Sequence, residues 1–241
     1  MISPTLACAD WLNLEKEIRI MDKAGVDFYH IDIMDGHYVP NLCFNLDILK
    51  GIRSISDTPV DVHLMVTNPM DYIDKLAELS VELCCTHQDC CDDIPAFLDK
   101  LEEKGIKKGL AVSPDVEIED ILPYIERLDY VLMMFVKPGF SGQKFQEQIL
   151  EKLLKLDMIR CERGLELMIE ADGGVSWNNA ASLVENGTDM LVSGVFASLD
   201  RKGELGERTA VFRALCSPKH GDRFIKHLFR RETNEEDRTG K

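Results

Sequence analysis

"YHIDIMDGHYVPN", residues 29–41, sets a histidine and two aspartates into an otherwise apolar run that reads as a buried strand. Side chains on a strand alternate between faces, so His30, Asp32 and Met34 share one face while Ile31 and Ile33 take the other. The chargeable residues fall toward the C-terminal end of the run. A barrel of parallel strands builds its active site at that end.

Outward from this stretch, short apolar runs rich in β-branched residues recur between amphipathic, charge-laced segments, the signature of repeated βα units. The expected strands are ISPTL (2–6), FYHIDI (28–33), PVDVHLM (59–65), VELCCTH (81–87), KGLAVS (108–113), YVLMMFV (130–136), ELMIEAD (166–172) and MLVSG (190–194). Between them lie helical patterns such as LNLEKEIRIMDKAG and FLDKLEEKG, which end at Gly25 and Gly105 as helix C-caps do. Eight such units fit an α/β fold of the single (β/α)8 TIM-barrel type better than an open doubly wound sheet, and no G-x-G-x-x-G follows the first strand. The reading predicts one barrel domain over residues 1–228 and a polar, disordered tail over 229–241.

In the third strand Asp61, His63 and Met65 share a face by the same alternation. Imidazole and carboxylate groups converging from neighbouring strands suit a divalent first-row metal such as zinc, iron(II), manganese or cobalt. The seventh strand ends in IEADGG, with Asp172 at its tip. In a ring of eight, strands 2 and 7 stand three steps apart one way and five the other, so Asp32 and Asp172 approach a bound molecule from nearly opposite sides. That geometry suits moving a proton from one face of a carbon to the other. A metal that polarises a neighbouring carbonyl acidifies such a carbon, and the two acids must then differ in protonation. Met34, Met65 and Met134 are expected to form a water-excluding cap over the intermediate. PGFSGQ (138–143), DGGV (172–175) and SGVF (193–196) are glycine-bearing segments of the kind that bring backbone N–H groups to a phosphate. The first of them also reads as a lid between Gly139 and Gly142.

Composition narrows the partners. Twenty-eight Lys and Arg against 43 Asp and Glu give a net charge of -15, which repels polyanions and argues against nucleic-acid or anionic-membrane surfaces. The N-terminus MISPTLACAD lacks a secretory pattern and no apolar run approaches a membrane span, so a cytoplasmic location is expected. Eight cysteines without a C-x-x-C pair predict reduced, mostly buried thiols.

Taken together, ISPTLACAD, HIDIMDGHYVPN, DVHLMV, PGFSGQ and ADGG resemble the ribulose-phosphate 3-epimerase family, which includes allulose-6-phosphate 3-epimerases. The resemblance implies metal-dependent epimerisation at C3 of a phosphorylated ketose, D-ribulose 5-phosphate to D-xylulose 5-phosphate, with D-allulose 6-phosphate as the alternative substrate. It implies one divalent ion held by His30, Asp32, His63 and Asp172, with Asp32 and Asp172 as the acid/base pair. Ser3 and His63 are implied to touch the substrate. Gly139, Phe140, Ser141, Gly142, Gly173, Gly174, Gly194 and Val195 are implied to line the site or bind its phosphate. Relatives of this kind imply a homo-oligomer whose partner is a small sugar phosphate.

Three residues depart from the family's pattern. Phe135 and Lys137 stand where members commonly show a small residue and an asparagine or aspartate, and Val195 replaces a serine beside the phosphate. The loss of a hydroxyl there removes one hydrogen bond, about 0.5 to 1.5 kcal/mol net. Lys137 is a candidate source of positive charge near the anionic substrate. His37 is expected to pin the DGHYVPN loop, Asp35 to shape it, and His87 to stand behind the ligands. His220 and His227 carry no argument. A barrel decarboxylase or aldolase is disfavoured because the third strand, DVHLMV, has no lysine; a non-catalytic sugar-phosphate-binding barrel is the remaining alternative.

Overall fold

The computed structural model describes residues 1–216. His220, His227 and the predicted tail at 229–241 lie outside the described residues. Strands β1 (Ile2–Pro4), β2 (Tyr29–Asp35), β3 (Leu42–Cys43), β4 (Val60–Met65), β5 (Leu83–His87), β6 (Lys107–Val112), β7 (Tyr130–Met134), β8 (Met168–Asp172) and β9 (Met190–Ser193) form one sheet in the order β1-β9-β8-β7-β6-β5-β4-β2-β3. All pairings are parallel except β3 on β2. The sheet curls until its first strand meets its second. Thr5 bridges His30 in parallel, and the Phe28 N–H donates to the Ile2 carbonyl at 3.3 Å.

All eight expected strands are present, with ends shifted by one or two residues. The first stops at Pro4 because Thr5 caps a 3-10 turn, Leu6–Cys8, its hydroxyl accepting the Ala7 N–H at 3.3 Å. β3 has no counterpart in the sequence reading. Two residues are too few to show a period, and their pairing of Cys43 with Met34 depends on the loop folding back.

Helices α1 (Leu14–Lys23), α2 (Leu46–Arg53), α3 (Ile73–Glu78), α4 (Ile94–Glu103), α5 (Ile118–Ile121), α6 (Leu150–Arg163) and α7 (Ala180–Glu185) lie between strands, and α8 (Leu205–Leu215) follows β9. After α1 the Val26 N–H returns to the Met21 carbonyl, and after α4 the Ile106 N–H returns to that of Leu101. These are the glycine-assisted C-terminal closures expected at Gly25 and Gly105. Outward-facing strand residues, among them Ile31, Ile33, Val62, Leu64, Leu110 and Val131, pack with helix residues such as Ile18, Leu49, Phe97 and Leu153 in one apolar layer. A second, smaller cluster fills the ring itself, with Phe28, Leu83, Tyr130, Leu132, Met168 and Met190 among its members.

Tyr130 crosses that interior. Gly109 on β6 makes room for it, since a Cβ there would stand 2.4 Å from the Tyr130 ring. Among the described residues no helix is long and apolar enough to cross a membrane.

Candidate active site

Parallel register sets Asp32 beside His63, and His30 one step deeper beside Asp61. His30 Nε2 and His63 Nδ1 each lie 3.5 Å from Asp32 Oδ1. Together with Asp172 on β8, these residues bring four ligand atoms within 4.8 Å of one another. The two imidazole nitrogens facing this cluster are buried and have no hydrogen-bond partner. A buried polar atom without a partner is costly, and a metal ion is the natural partner for a converging set of imidazole and carboxylate donors. The residues therefore fit a divalent first-row ion.

The other nitrogen of each imidazole is engaged. His30 Nδ1 stands 2.6 Å from Asp61 Oδ2, and His63 Nε2 stands 2.8 Å from His87 Nε2. His87 continues to Ser113, whose Oγ lies 3.0 Å from His87 Nδ1. Such partners fix which ring nitrogen carries the proton and leave the opposite lone pair for a metal.

The two carboxylates differ. Burial works against charge on Asp32, but His30 and His63 outweigh it and hold its carboxyl well below the usual range. Burial pushes the Asp172 carboxyl up, and Asp32 adds to that push while His30 and His63 oppose it. Asp32 also accepts a hydrogen bond from the Thr5 hydroxyl at 2.7 Å. One acid inclined to ionise and one inclined to keep its proton, set around a single cleft, is the arrangement of an acid/base pair.

Above the cluster opens a cleft of about 230 Å³. Asp32, Asp172, Met34, Met65 and Met134 line its floor, and all three methionines are buried. Gly139, Phe140, Ser141, Gly142, Gly173, Gly174, Gly194 and Val195 line the rest with Lys137. Gly173 and Gly174 stand at φ +96° and +67°, and a Cβ on Gly174 would meet the Phe145 backbone at 2.8 Å. Only glycine takes that backbone without strain or collision. Asn41 Nδ2 donates to the Gly139 carbonyl at 2.7 Å, and Gln143 Nε2 donates to those of Lys137 and Phe140. The first of these bonds ties the DGHYVPN loop to the PGFSGQ loop across the mouth, and the other two brace the PGFSGQ loop from within.

Residues 1–197 match the ribulose-phosphate 3 epimerase family. The chain is 36% identical over 209 residues to the "Ribulose-phosphate 3-epimerase" of Bacillus subtilis (strain 168), covering 86% of this chain and 96% of that one. It is 37% identical to the protein of the same name from Aquifex aeolicus (strain VF5), covering 83% and 91%. The chain belongs to the ribulose-phosphate 3 epimerase family. Its enzyme class is that of an isomerase. The fold extends further than the sequence likeness: a tryptophan synthase structure from Mycobacterium tuberculosis superposes with a TM-score of 0.63 at 17% identity, over 89% of this chain and 90% of that one.

Against the epimerase family's pattern, the three departures fall in different places. Phe135 does not reach the cleft: it is fully buried in the outer apolar layer and stacks on Phe145 with ring centroids 4.6 Å apart. It anchors the base of the PGFSGQ loop. Lys137 does reach the cleft, but its ammonium lies 3.0 Å from Asp115 Oδ2 in an exposed ion pair that offsets its charge. Val195 lines the cleft as expected.

Ser3 is the correction among the predicted site residues. It is fully buried in β1, its hydroxyl has no partner, and it does not line the cleft. Thr5, two residues nearer the mouth, lines the cleft instead and bonds Asp32. Alternation gives both residues the same face, and depth along the strand decides which one reaches the site. His63 contributes its Nδ1 to the ligand cluster but is itself fully buried beneath the cleft lining. His37 and Asp35 shape the loop: Asp35 accepts the N–H groups of His37, Tyr38 and Thr67 at 2.8 to 2.9 Å.

Sequence reasoning missed several residues. Cys8 and Cys43 line the cleft, and burial pushes the Cys43 thiol up to about 12. Asn41 lies inside the opening stretch, yet only the folded loop gives it a partner. Glu170, buried on β8 with neither carboxylate oxygen hydrogen-bonded, carried no signal beyond its parity with Asp172.

Proposed function

We propose that this protein interconverts D-ribulose 5-phosphate and D-xylulose 5-phosphate by inverting C3. The observation that carries the reading is the cluster of His30, Asp32, His63 and Asp172, with two unpartnered imidazole nitrogens turned inward and two carboxylates of opposite protonation tendency. The names of the family's curated members support the choice of substrate.

His30, Asp32, His63 and Asp172 would hold a divalent ion, one of zinc, iron(II), manganese or cobalt, whose Lewis acidity would polarise the C2 carbonyl and acidify the hydrogen on C3. Asp32, oriented by the Thr5 hydroxyl, removes the proton from one face. Asp172, whose carboxyl burial pushes upward, stands across the cleft to deliver a proton to the opposite face, and the roles exchange in the reverse direction. Met34, Met65 and Met134 present apolar thioethers to the flattened enediolate and keep water from it. The backbone N–H groups of Gly173, Gly174, Gly194 and Val195 receive the phosphate, and Phe140 and Ser141 at the mouth close over it. His63 would hold the ion from beneath the cleft lining, and Thr5 is the residue at the end of β1 that reaches the substrate.

Eight cysteines, none of the described ones disulfide-bonded, support a reducing cytoplasm as the place of work. Trp11, Leu12 and Leu42, exposed near the cleft, support a homo-oligomer, which light scattering reads directly.

The test is C3 hydrogen exchange in heavy water, followed by NMR, with ribulose 5-phosphate and allulose 6-phosphate in parallel. Exchange with the pentulose phosphate is expected. Exchange only with the hexulose phosphate replaces the substrate, and exchange with neither refutes the epimerase reading.

A further inference from the structure

The two ligand histidines are held by unlike partners. On one side His30 Nδ1 meets Asp61, a fully buried carboxylate on β4 that stands one layer below the cleft. On the other side His63 Nε2 meets a neutral imidazole, His87, backed by the Ser113 hydroxyl. We propose that Asp61 and Tyr130 act as a positioning relay that fixes His30 for metal binding, and that the His87–Ser113 arm contributes less. The proposal rests on the metal-site reading given under Proposed function.

Asp61 has no solvent, so both of its oxygens must be satisfied within the barrel. Oδ2 lies 2.6 Å from His30 Nδ1, and Oδ1 accepts the Tyr130 hydroxyl at 2.7 Å. A carboxylate accepts only, so His30 donates from Nδ1 and its Nε2 carries the lone pair that faces Asp32. Tyr130 reaches Asp61 from β7, on another part of the wall. Its path is keyed by Gly109, where a Cβ would collide with the ring, and its hydroxyl is therefore delivered to one point in the barrel. Glu170 lies close by but 3.7 Å from His30 Nδ1, too far for a hydrogen bond, which leaves Asp61 as the group that orients the ring.

The arms differ in charge and in geometry. An anionic partner strengthens the donor power of the imidazole it holds and makes a stronger hydrogen bond than a neutral one. The His87 arm ends on a hydroxyl whose hydrogen can rotate, while the Asp61 arm ends on a phenol whose ring is wedged in place.

The experiment titrates the metal-free full chain with cobalt(II), measuring affinity against a competing chelator and recording the visible absorption of the bound ion. Asp61→Asn is expected to weaken binding about 10- to 100-fold and to alter the spectrum. Tyr130→Phe keeps the ring over Gly109, removes only the hydroxyl, and is expected to weaken binding about 3- to 10-fold with a smaller spectral change in the same direction. Ser113→Ala is expected to change affinity less than about threefold. In the Asp61→Asn background, Tyr130→Phe should add almost nothing, because a relay has already been broken.

Wild-type affinity and spectrum in both Asp61→Asn and Tyr130→Phe overturn the proposal. Additive losses in the double variant overturn the relay, and a Ser113→Ala loss as large as that of Asp61→Asn overturns the asymmetry. Should Asp61→Asn fail to fold, Tyr130→Phe against Ser113→Ala decides alone. Failure of the metal-site reading looks different: the wild type and His63→Ala would then bind cobalt(II) equally.

Discussion

The two faces of the barrel wall are made from the same strands and obey opposite rules. Outward, β2 and β4 present Ile31, Ile33, Val62 and Leu64 to the helices, and this layer is apolar throughout its buried members. Inward, the same strands present His30, Asp32, Asp61 and His63, all buried. An outer residue needs only to fill volume, and any apolar group of suitable size does so. An inner residue must find a partner, because the closed ring admits few waters and a lone buried charge is costly. The contrast explains why substitutions on adjacent residues of one strand should fail in different ways.

The largest expected effect is on the inner face. Asp172→Asn should lower kcat for C3 inversion roughly 10³-fold while leaving the unfolding transition nearly unchanged, as loss of one acid/base group does. Steady-state kinetics with a urea melt checks both halves, and retained turnover would break the assignment of opposed carboxylates. On the outer face, Ile31→Ala opens a cavity in the fully buried apolar layer and should cost about 2 to 5 kcal/mol of stability. Its metal affinity, read by chelator competition, should match the wild type; a large drop would mean that the two faces are not independent.

Thr5→Val sharpens the comparison further, since it keeps the shape and removes the hydroxyl that bonds Asp32. A loss of about 1 kcal/mol, roughly fivefold in kcat/KM with little change in stability, is expected. The smallest effect lies outside both faces, in the loop after β2. Burial opposes charge on Asp35, but the N–H groups of Thr67, His37 and Tyr38 outweigh it and hold the carboxyl well below its usual range. A depressed folded-state value contributes stability above the unfolded value of about 3.9 and loses it as pH falls toward the folded one. Asp35→Asn should therefore be destabilised by about 1 kcal/mol near neutrality, with the deficit shrinking below pH of about 4. A deficit that stays constant with pH would assign the effect to shape and not to charge.

Much of this was legible in the chain. The alternation of YHIDIMD separated His30 and Asp32 from Ile31 and Ile33 without any knowledge of the fold, because a strand's period is two. DVHLM added His63 by the same rule, and the tip of IEAD added Asp172. The eight βα units followed from recurring apolar runs and glycine stops. Other features were illegible for a common reason. Ser3 and Thr5 have the same parity, and only the closing contact between β1 and β2 shows that Thr5 stands at the mouth. Phe135, a departure from the family's pattern, lies on the helix side of the wall with Val131 and Met133, and only the folded loop supplies its stacking partner Phe145.

The sequence by itself determined which residues share a face and which ends of the strands carry chemistry, since both depend on neighbours two residues apart. Tertiary structure decided who meets whom across the ring: Asp61 with Tyr130, His63 with His87, Asn41 with Gly139. Those pairs are 69, 24 and 98 residues apart in the chain. No local period reaches that far, and closure of the barrel is what brings the Asp61 carboxylate, the Tyr130 phenol and the His30 imidazole together beneath the cleft.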